Sequence, residues 1–479
     1  MTGSTAGPAG PAGPAHGGPR GGHGTGPGRL WSVDEHLADV LAAVRPLPPV
    51  ELPLLDARGC RLAEDVVARG DLPSFDNSSM DGYAVRTADT VGATERYPSV
   101  LAVVGDVAAG AADLPRISSG QAARIMTGAP LPPGAEAVAP VEWTDGGSGT
   151  AKPADRMAVR TSAEVRVFRT VAAGAHIRRR GSDIAAGETV LTAGAVLTPT
   201  RIGLLAAIGL GTVRVCPRPR VAVLSTGSEL VPPGGPVGPG RIFESNSYAL
   251  TAAAWDAGAI AHRVDAVPDD PEQLRAVLAE QLGRADLIVT SGGVSVGAYD
   301  VVKAALSATP GAPGTQPEPG AAGVDFRRLR MQPGKPQGFG RIGPGEGVPL
   351  MALPGNPVSA YISFELFVRP MIRTMMGAEQ VHRPMVRAVC TGALRSPAGR
   401  RQFLRGSYRP PSPPAFGGEG PLGGGRSGPG TVVPVGGAGS HLVGQLARAN
   451  CLIVLDEDTT SADPGALLDV MLLEEPPWG

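Results

Sequence analysis

Three acidic residues stand just after apolar, β-branched segments of the chain. Glu229 follows RVAVLSTGS, Asp269 follows HRVDAVP, and Asp300 follows DLIVTSGG and its glycine loop. The carboxyl ends of parallel strands lie at one edge of an open α/β sheet, and ligands bind at that edge. Carboxylate oxygens suit Mg²⁺, which also engages substrate phosphates. The pattern therefore predicts that the three acids meet at a divalent-cation site.

A purely structural interpretation of these acids also stands. Asp269 could cap the helix that begins after DDP, and Asp300 could cap the helix YDVVKAAL, because aspartate is a preferred N-cap residue. Capping is the commoner role for any single acid, whereas the convergence of all three strengthens the metal interpretation until the two are balanced. Both interpretations stay open from the sequence alone.

A glycine-rich loop, TSGGVSVG at 290–297, joins a predicted strand to a helix. Its glycines allow backbone N–H groups to approach an anion, so the loop suits a phosphate or a pterin. The same loop matches G-x-S-x-G, the nucleophile elbow of α/β-hydrolases, with Ser295 as the candidate nucleophile. A hydrolase also needs a later histidine, and His382 and His441 lie near or within the predicted C-terminal domain. Serine hydrolysis is therefore the less favoured function, and it predicts labelling of Ser295 by a fluorophosphonate probe.

Two further turns carry candidate anion ligands. In MQPGKPQGFG, Lys335 stands between Gly334 and Pro336, so a single cation is held by backbone of restricted conformation. The prolines of LPGNPVSAY fix a second turn, and Ser359 lies in the helical turn that follows. Ordinary turn chemistry explains either segment on its own.

Polar and charged residues are also concentrated elsewhere. SFDNSSMDGYAVR at 74–86 holds more Asp, Asn and Ser than one turn needs, and RIMTGAPLPPGAEAV at 124–138 surrounds Thr127 with a turn that suits a phosphate. Residues 383–409 carry seven arginines and no acid, whereas residues 456–475 carry seven acids and no base. The arginines could attract anions, or the two blocks could partly neutralise each other on solvent-facing strands.

The element pattern places these residues in an α/β multidomain protein. Between 219 and 376, apolar strands alternate with helical segments at 245–257, 271–284 and 299–308. This alternation predicts a mainly parallel sheet between helices on both faces. Residues 29–218 and 380–475 hold short Val-rich segments separated by Gly and Pro, which are typical of β-rich domains.

Three stretches rich in Gly and Pro fall outside this pattern. Residues 1–28 are predicted to be a disordered tail, because they lack the large apolar side chains that offset the entropy of ordering. Residues 309–323 and 410–430 are predicted to be surface insertions. Helices are predicted to begin at the N-caps Ser32 and Thr198, each of which precedes a segment with helical spacing.

The overall composition argues against several classes of protein. The 43 Lys and Arg residues nearly balance the 44 Asp and Glu residues, so the basic excess of a non-specific nucleic-acid binder is missing. No run of about 18 apolar residues occurs, so neither a membrane span nor secretion is expected. Four cysteines without a CxxC pair predict neither a disulfide framework nor a zinc site, which fits a cytoplasmic protein.

Six segments, in order, resemble those of the molybdopterin molybdenumtransferase family, which includes the E domain of gephyrin. They are SFDNSSMDGYAVR, RIMTGAPLPPGAEAV, STGSEL, DLIVTSGGVSVGAYDVVK, QPGKPQGFG and LPGNPVSA. The resemblance covers about residues 30–475 and implies an elongated homodimer. It also implies two interlocked β-rich parts within 29–218, a three-layer α/β/α molybdopterin-binding domain at 219–376, and a β-barrel-like domain at 380–475.

The resemblance implies a reaction as well. The family takes adenylylated molybdopterin and molybdate, inserts molybdenum at the dithiolene and releases AMP, with Mg²⁺ as the expected assisting cation. Matching positions assign metal binding to Glu229, Asp269 and Asp300. These acids would act catalytically together with Asp81 and Thr127, which the partner subunit presents to the cleft. The implied substrate-binding positions are Ser291, Gly292, Gly293, Ser295, Gly297, Lys335, Pro336, Ser359, Arg401 and Ser440.

One departure from the family pattern concerns charge. Gln332 stands where many relatives have a lysine, and Arg328 or Arg330 could replace the missing cation. A non-catalytic molybdopterin-binding scaffold is the alternative function on this fold, since gephyrin also has such a role. Release of AMP would distinguish the enzyme from the scaffold.

Overall fold

Within the part of the chain that the structure describes, a seven-stranded mixed sheet organises the first of two units. The structure is a computed structural model that describes residues 30–159, 162–294, 301–306, 323–411 and 428–474. The first unit comprises the chain up to Val44, residues 219–372 and the chain from Gln380 onward, and the second comprises 45–218 and 373–379. The predicted tail at 1–28 lies outside the described residues, as do most of the predicted insertions at 309–323 and 410–430.

The strands, in chain order, are β1 (Leu30–Trp31), β2 (Val50–Pro53), β3 (Arg61–Leu62), β4 (Val66–Val67), β5 (Asn77–Ser78), β6 (Gly82–Val85), β7 (Ser99–Val107), β8 (Gln121–Ile125), β9 (Ala137–Pro140), β10 (Glu164–Val167), β11 (Ile177–Arg178), β12 (Thr189–Leu191), β13 (Thr212–Cys216), β14 (Arg220–Ser225), β15 (Leu230–Val231), β16 (Ile242–Phe243), β17 (Ile260–Arg263), β18 (Leu287–Ser291), β19 (Val324–Leu329), β20 (Met331–Gln332), β21 (Pro336–Ile342), β22 (Val348–Leu353), β23 (Met385–Cys390), β24 (Leu394–Arg395), β25 (Arg401–Arg409), β26 (Gly430–Pro434), β27 (Cys451–Leu455), β28 (Ser461–Ala462) and β29 (Leu467–Leu472). The α-helices are α1 (Val33–Ala42), α2 (Pro199–Ala207), α3 (Asn246–Ala257), α4 (Pro271–Gln281), α5 (Val301–Leu306), α6 (Pro357–Ser363), α7 (Arg369–Met375) and α8 (Val443–Leu446). Short 3₁₀ helices occur at Thr87–Thr90 and Val141–Trp143, and a π-helical segment, Phe364–Val368, joins α6 to α7.

The sheet of the first unit has the strand order β1-β19-β21-β22-β18-β14-β17. Neighbouring strands from β22 to β17 run parallel, which confirms the predicted α/β domain. Strands β19, β21 and β22 are antiparallel instead, because the short turns between them cannot make the crossover that parallel pairing needs. Helix α3 packs on β14 and β17, whereas α4 and α5 pack together over the apolar cluster that includes Leu224, Ile288 and Leu350.

The helix N-termini show which sequence signals were correct. Ser32 Oγ accepts from Glu35 N at 3.0 Å while Glu35 Oε2 accepts from Ser32 N at 2.8 Å, so the predicted cap of α1 is confirmed. Thr198 caps α2 as predicted. Asp270 caps α4, so the alternative in which Asp269 caps this helix is wrong. Among the helices of the described residues, none combines the length and the apolar composition that a bilayer span requires.

The described C-terminal strands close into a five-stranded barrel, as predicted. Strand β25 pairs with β26, the pairing continues through β23, β29 and β27, and β27 pairs again with β25. Apolar side chains such as Cys390, Val432 and Ile453 fill its core. Strand β20 adds in parallel beside β25. The chain that leads to Lys335 is therefore attached to the barrel.

The second unit is β-rich, as predicted, and contains two separate regions of apolar core. One region covers both faces of the sheet β10-β7-β8-β6-β9. The other lies between α2 and the sheet β2-β13-β3. Segments before and after the first sheet build this second core, so the two parts are interlocked along the chain.

A buried histidine lies where α1 packs on the rest of the first unit. His36 is fully buried, with ring centroids 6.4 Å from Phe339 and 4.8 Å from Phe367. Its Nδ1 lies 3.3 Å from a guanidinium nitrogen of Arg327, which also donates to Asp39 at 2.6 Å. Burial, together with the charge of Arg327, lowers the pKa of His36 from 6.5 to about 3. The ring is therefore neutral in the folded protein near neutral pH.

This burial makes stability depend on pH. Below pH 6.5 the unfolded chain gains a proton at His36 that the folded state does not bind until about pH 3. The contribution of neutral His36 to the free energy of unfolding is therefore complete above pH 6.5. It is lost as the pH falls, by about 1.4 kcal/mol per pH unit. Urea unfolding at pH 6 and pH 5 should show this slope in the wild type and lose it in His36→Phe. The exposed His382→Phe serves as the control, and an equal slope in all three proteins would contradict the assignment.

Candidate functional site

A cavity of about 710 Å³ opens at the carboxyl ends of β14 and β18, and its lining residues belong to the first unit. The glycine loop after β18, the turn after β22, the loop around Lys335 and the barrel segment near Ser440 form its walls. Nine of the residues singled out from the sequence line it: Glu229, Asp269, Ser291, Gly292, Gly293, Lys335, Pro336, Ser359 and Ser440. The predicted convergence of acids at the strand ends is seen for Glu229 and Asp269, and the other seven positions join them in the same cavity.

The register of the central strands brings these loops together. Strands β14 and β18 pair in parallel so that Ser225 stands opposite Ser291 at their last residues. Beyond the strands, Thr226 N donates to Ser291 O at 2.8 Å, and Gly292 N donates to Leu353 O at 3.1 Å. Gly292 has a φ of +103°, and a Cβ there would lie 2.5 Å from Thr226 O. Glycine is required at this position because the two loops touch through it.

The acidic end of the cavity carries Glu229 and Asp269. Asp269 Oδ2 accepts from Ser228 N at 3.0 Å, and Ser228 Oγ accepts from Asp269 N at 3.0 Å. The Glu229 carboxylate lies over Gly227, where a Cβ would come within 2.6 Å of Oε2. Both carboxylates reach the same cavity without being used as helix caps. Both carboxylates are therefore available to a ligand in the cavity.

Asp300, Ser295 and Gly297 lie outside the described residues. No group of three or more His, Cys, Asp or Glu side chains within the described ranges is arranged to hold a metal ion. A site for Mg²⁺ can nevertheless rest on two protein carboxylates completed by substrate phosphates and water. Metal binding by Glu229 and Asp269 therefore stays a prediction.

A buried carboxylate that sequence reasoning missed supports the floor of the cavity. Glu244 is 3% exposed; its Oε1 accepts from Ser225 Oγ and Ser247 N, and its Oε2 accepts from Ser247 Oγ, each at 2.7 Å. These bonds join the end of β14 to the start of α3. The sequence signal was the segment ESNSY at the start of a helix. Its acid stands three residues before a serine and can accept hydrogen bonds from the N–H groups of the first helical turn.

The basic end carries Lys335 and Arg400, neither of which has an ion-pair partner among the described residues. Hydrogen bonds from a buried side chain fix the loop that carries Lys335. Gln337 Nε2 donates to Gly334 O and to Ser363 Oγ, both at 2.7 Å. Gln337 is fully buried. An unpaired cation on a fixed loop is suited to an anionic ligand.

Arg401, predicted beside the oxyanion, does not line the cavity, and its neighbour Arg400 does. The Arg401 guanidinium donates to both carboxylate oxygens of Asp34, at 2.8 and 2.9 Å, and lies near Asp456 and Glu457. The hydrogen bond from Arg401 holds the pKa of Asp34 below its usual value. Arg400 stands at the bend just before β25, whereas Arg401 is the first residue of that strand, so the two neighbouring side chains have different surroundings.

Three of the seven arginines in the predicted strip, Arg383, Arg387 and Arg401, are paired with acids. Arg383 pairs with buried Glu365 at 2.8 Å, and Arg387 with Asp469 at 3.2 Å. Gln332 lines the cavity, whereas Arg328 and Arg330 do not, so neither of them replaces the missing cation there. Arg387 and Arg401 pair with residues of the acidic block, as the second interpretation expects, whereas the partner of Arg383 lies outside that block.

The remaining predicted residues belong to the second unit. Thr127 donates to Asp81 Oδ1 through its N at 2.7 Å and through its Oγ1 at 2.9 Å. Asp76, in the same polar run, accepts from Arg180 N at 2.8 Å and from Arg179 at 2.6 Å. The structure therefore joins Asp81 and Thr127 to each other, and neither lines the cavity of the first unit.

The fold and the cavity define the class: a multidomain α/β protein with a strand-end site for a charged ligand and a C-terminal barrel. Comparison with protein families agrees along the chain. Residues 31–209 match the MoeA N-terminal region (domain I and II), residues 222–374 match a probable molybdopterin binding domain, and residues 387–473 match the MoeA C-terminal region (domain IV).

Individual relatives cover nearly the whole chain. Molybdopterin molybdenumtransferase 2 of Mycobacterium tuberculosis is 45% identical over 439 residues, which are 92% of this chain and 98% of that protein. Molybdopterin molybdenumtransferase of Bacillus subtilis is 33% identical over 414 residues, 86% and 87% of the two chains. A solved molybdopterin biosynthesis MoeA protein of Pyrococcus horikoshii has a TM-score of 0.67 and 29% identity, and covers 93% of this chain and 100% of its own. The chain belongs to the molybdopterin molybdenumtransferase family, a family of enzymes.

The adjacent arginines allow a matched test of the basic end. Arg400→Gln should weaken molybdate binding roughly 10- to 100-fold, the cost of one charge-assisted hydrogen bond. Arg401→Gln should leave molybdate binding unchanged and lower stability by less than about 1 kcal/mol, because the pair it breaks is largely exposed on the Asp34 side. Isothermal titration with molybdate measures the first effect and urea unfolding the second. The reverse pattern would return the oxyanion role to Arg401.

Proposed function

We propose that this protein transfers molybdenum from molybdate to adenylylated molybdopterin and releases AMP, with Mg²⁺ as the assisting cation. The observation that carries the proposal is one cavity lined both by carboxylates and by two cations that have no ion-pair partner among the described residues. A phosphoanhydride with a bound cation suits Glu229 and Asp269. A dianionic oxyanion suits Lys335 and Arg400. The names of the relatives support the same reaction.

The reaction needs positioned charge rather than a protein nucleophile. Two thiols of the dithiolene replace one oxygen of molybdate, and their protons leave with that oxygen as water. One water cleaves the phosphoanhydride, so the phosphate stays on the pterin side and AMP departs. Neither step changes an oxidation state. Positioning and electrostatic stabilisation of the departing AMP are therefore what the cavity must supply.

The chemistry of the donor set fits Mg²⁺. Glu229 and Asp269 supply hard oxygen ligands, and Ser228 N occupies only Oδ2 of Asp269, which leaves Oδ1 for a cation. When bound, Mg²⁺ would neutralise charge on the phosphoanhydride. The buried Glu244 keeps both of its oxygens for Ser225 and Ser247, so its role is to hold the loops.

Neighbouring aspartates give a direct test of the cation role. Asp269→Asn should slow AMP release from adenylylated molybdopterin at least about 100-fold and raise the Mg²⁺ concentration needed for half-maximal rate, because a ligand to the cation is lost. Asp270→Asn is the matched control, since asparagine also caps helices well. A rate equal to that of Asp270→Asn over a Mg²⁺ titration would remove Asp269 from the cation site.

The homodimer is part of the same proposal. The family resemblance assigns Asp81 and Thr127 to a partner subunit, so two chains would build each site.

Mixing two inactive variants tests the shared site. Asp81→Asn and Asp269→Asn homodimers should each be nearly inactive, whereas mixed dimers should regain AMP release. A mixed dimer has one site without either substitution if two chains build each site. It has no such site if each chain builds its own. Light scattering should first show twice the mass of one chain, and a mixture that stays inactive after subunit exchange would contradict the shared site.

A further inference from the structure

Asn246 is a cavity residue whose side-chain amide has a fixed orientation. Its Nδ2 donates to Ser291 Oγ and to Gly355 O, both at 2.7 Å. Ser291 Oγ donates its own proton to Pro354 O at 3.2 Å. Both partners of Nδ2 are therefore acceptors. Exchanging the amide nitrogen and oxygen would place Oδ1 against a carbonyl oxygen, so the network excludes the flipped amide.

The Oδ1 atom of Asn246 is consequently an acceptor that cannot become a donor. The two N–H groups of Nδ2 are both used, and within the part of the chain that the structure describes Oδ1 has no hydrogen-bond partner. Asn246 lines the cavity. A ligand group that meets Oδ1 must supply an N–H or O–H. The Ser291 hydroxyl, whose proton is already committed, serves to hold Asn246 rather than to donate to a ligand.

The surface around Asn246 suits the flat face of a ring. Pro354 and Pro357 line the same cavity, and Pro354 directly precedes Gly355, whose carbonyl accepts from Asn246. Gly355 and Gly292 meet so closely that a Cβ on Gly355 would lie 3.4 Å from Gly292 Cα. Backbone and proline groups of this turn therefore adjoin the amide, whose hydrogen-bond partners Ser291 and Gly355 are uncharged.

We propose that Asn246 determines specificity for the heterocyclic part of the ligand, by accepting a hydrogen bond from an exocyclic amino group through Oδ1. This inference rests on the proposed function, because the pterin and the adenine of adenylylated molybdopterin both carry such a group. Phosphate oxygens accept and are repelled by Oδ1, and ribose hydroxyls can donate or accept and are weakly selected. A ring-conjugated amine donates only, so its removal leaves Oδ1 unpaired.

Two pairs of ligands distinguish the possible donors. The adenine pair is AMP and purine riboside 5′-monophosphate, which lacks only the amine. The pterin pair is 6-hydroxymethylpterin monophosphate and its 2-deamino analogue. For the pair whose amine meets Asn246, the wild type should bind the amino form about 5- to 10-fold more tightly, as expected for one neutral hydrogen bond. Titration calorimetry with the full-length protein gives each ratio of Kd values.

Variants separate the acceptor from its structural role. Asn246→Ala should bring the ratio of Kd values for the responding pair to about 1, because no acceptor remains. A merely structural loosening would weaken both members equally and keep the ratio. Asn246→Asp, which keeps an oxygen but loses the N–H donors, should retain a ratio of at least about 5. Ser245→Ala is the control, since Ser245 also lines the cavity and its side chain makes no capping hydrogen bond.

Each outcome has one meaning. A response of the adenine pair identifies the adenine amine, and a response of the pterin pair identifies the pterin amine. Equal Kd values within both wild-type pairs, or a ratio that Asn246→Ala leaves intact, would overturn the role of Asn246 while leaving the proposed function standing. A wild type that binds none of the four ligands, and that releases no AMP from adenylylated molybdopterin, would refute the proposed function itself.

Discussion

The site depends on one pairing, the parallel alignment of β14 with β18 that sets Ser225 opposite Ser291. Both strands end at the same level, so the chain leaves the sheet there in two adjacent loops. The Thr226 N to Ser291 O hydrogen bond continues the ladder one step beyond the strands. Gly292 permits the contact, because any side chain at this position would strike the Thr226 carbonyl. A shift of one residue in this register would reverse the facing of the strand-end side chains and disperse the acids.

Opposite charges share the cavity without pairing because separate elements hold them. Glu229 follows β14, and Asp269 follows β17. Lys335 lies on a loop that Gln337 fixes, and Arg400 immediately precedes the barrel strand β25. Strand β20 joins the Lys335 loop to that barrel. Both kinds of charge therefore remain available to a ligand in the cavity. Charges preorganised in this way stabilise a reacting group without having to rearrange around it.

Buried polar side chains fix the loops between these charges. Glu244 satisfies Ser225 and Ser247, and Asn246 links the glycine loop to the turn after β22. A buried carboxylate is costly unless hydrogen bonds surround it, and here hydroxyl and backbone donors do so. The same bonds that stabilise the strand ends also determine which atoms face the ligand.

The sequence by itself determined the class of fold, the N-caps Ser32 and Thr198, and the set of strand-end residues around the glycine loop. These features follow from local composition and from the rule that parallel strands end together, so neighbouring residues suffice to reveal them. It could not choose between Asp269 and Asp270 as the cap of α4, or between Arg400 and Arg401 as the cavity cation, because one residue of register decides each case. Nor could it find Glu244 or Asn246, whose partners Ser225, Ser291 and Gly355 are mostly distant in the chain. Only the tertiary structure settles such choices, since they depend on which side chains the completed sheet and barrel bring within hydrogen-bonding distance.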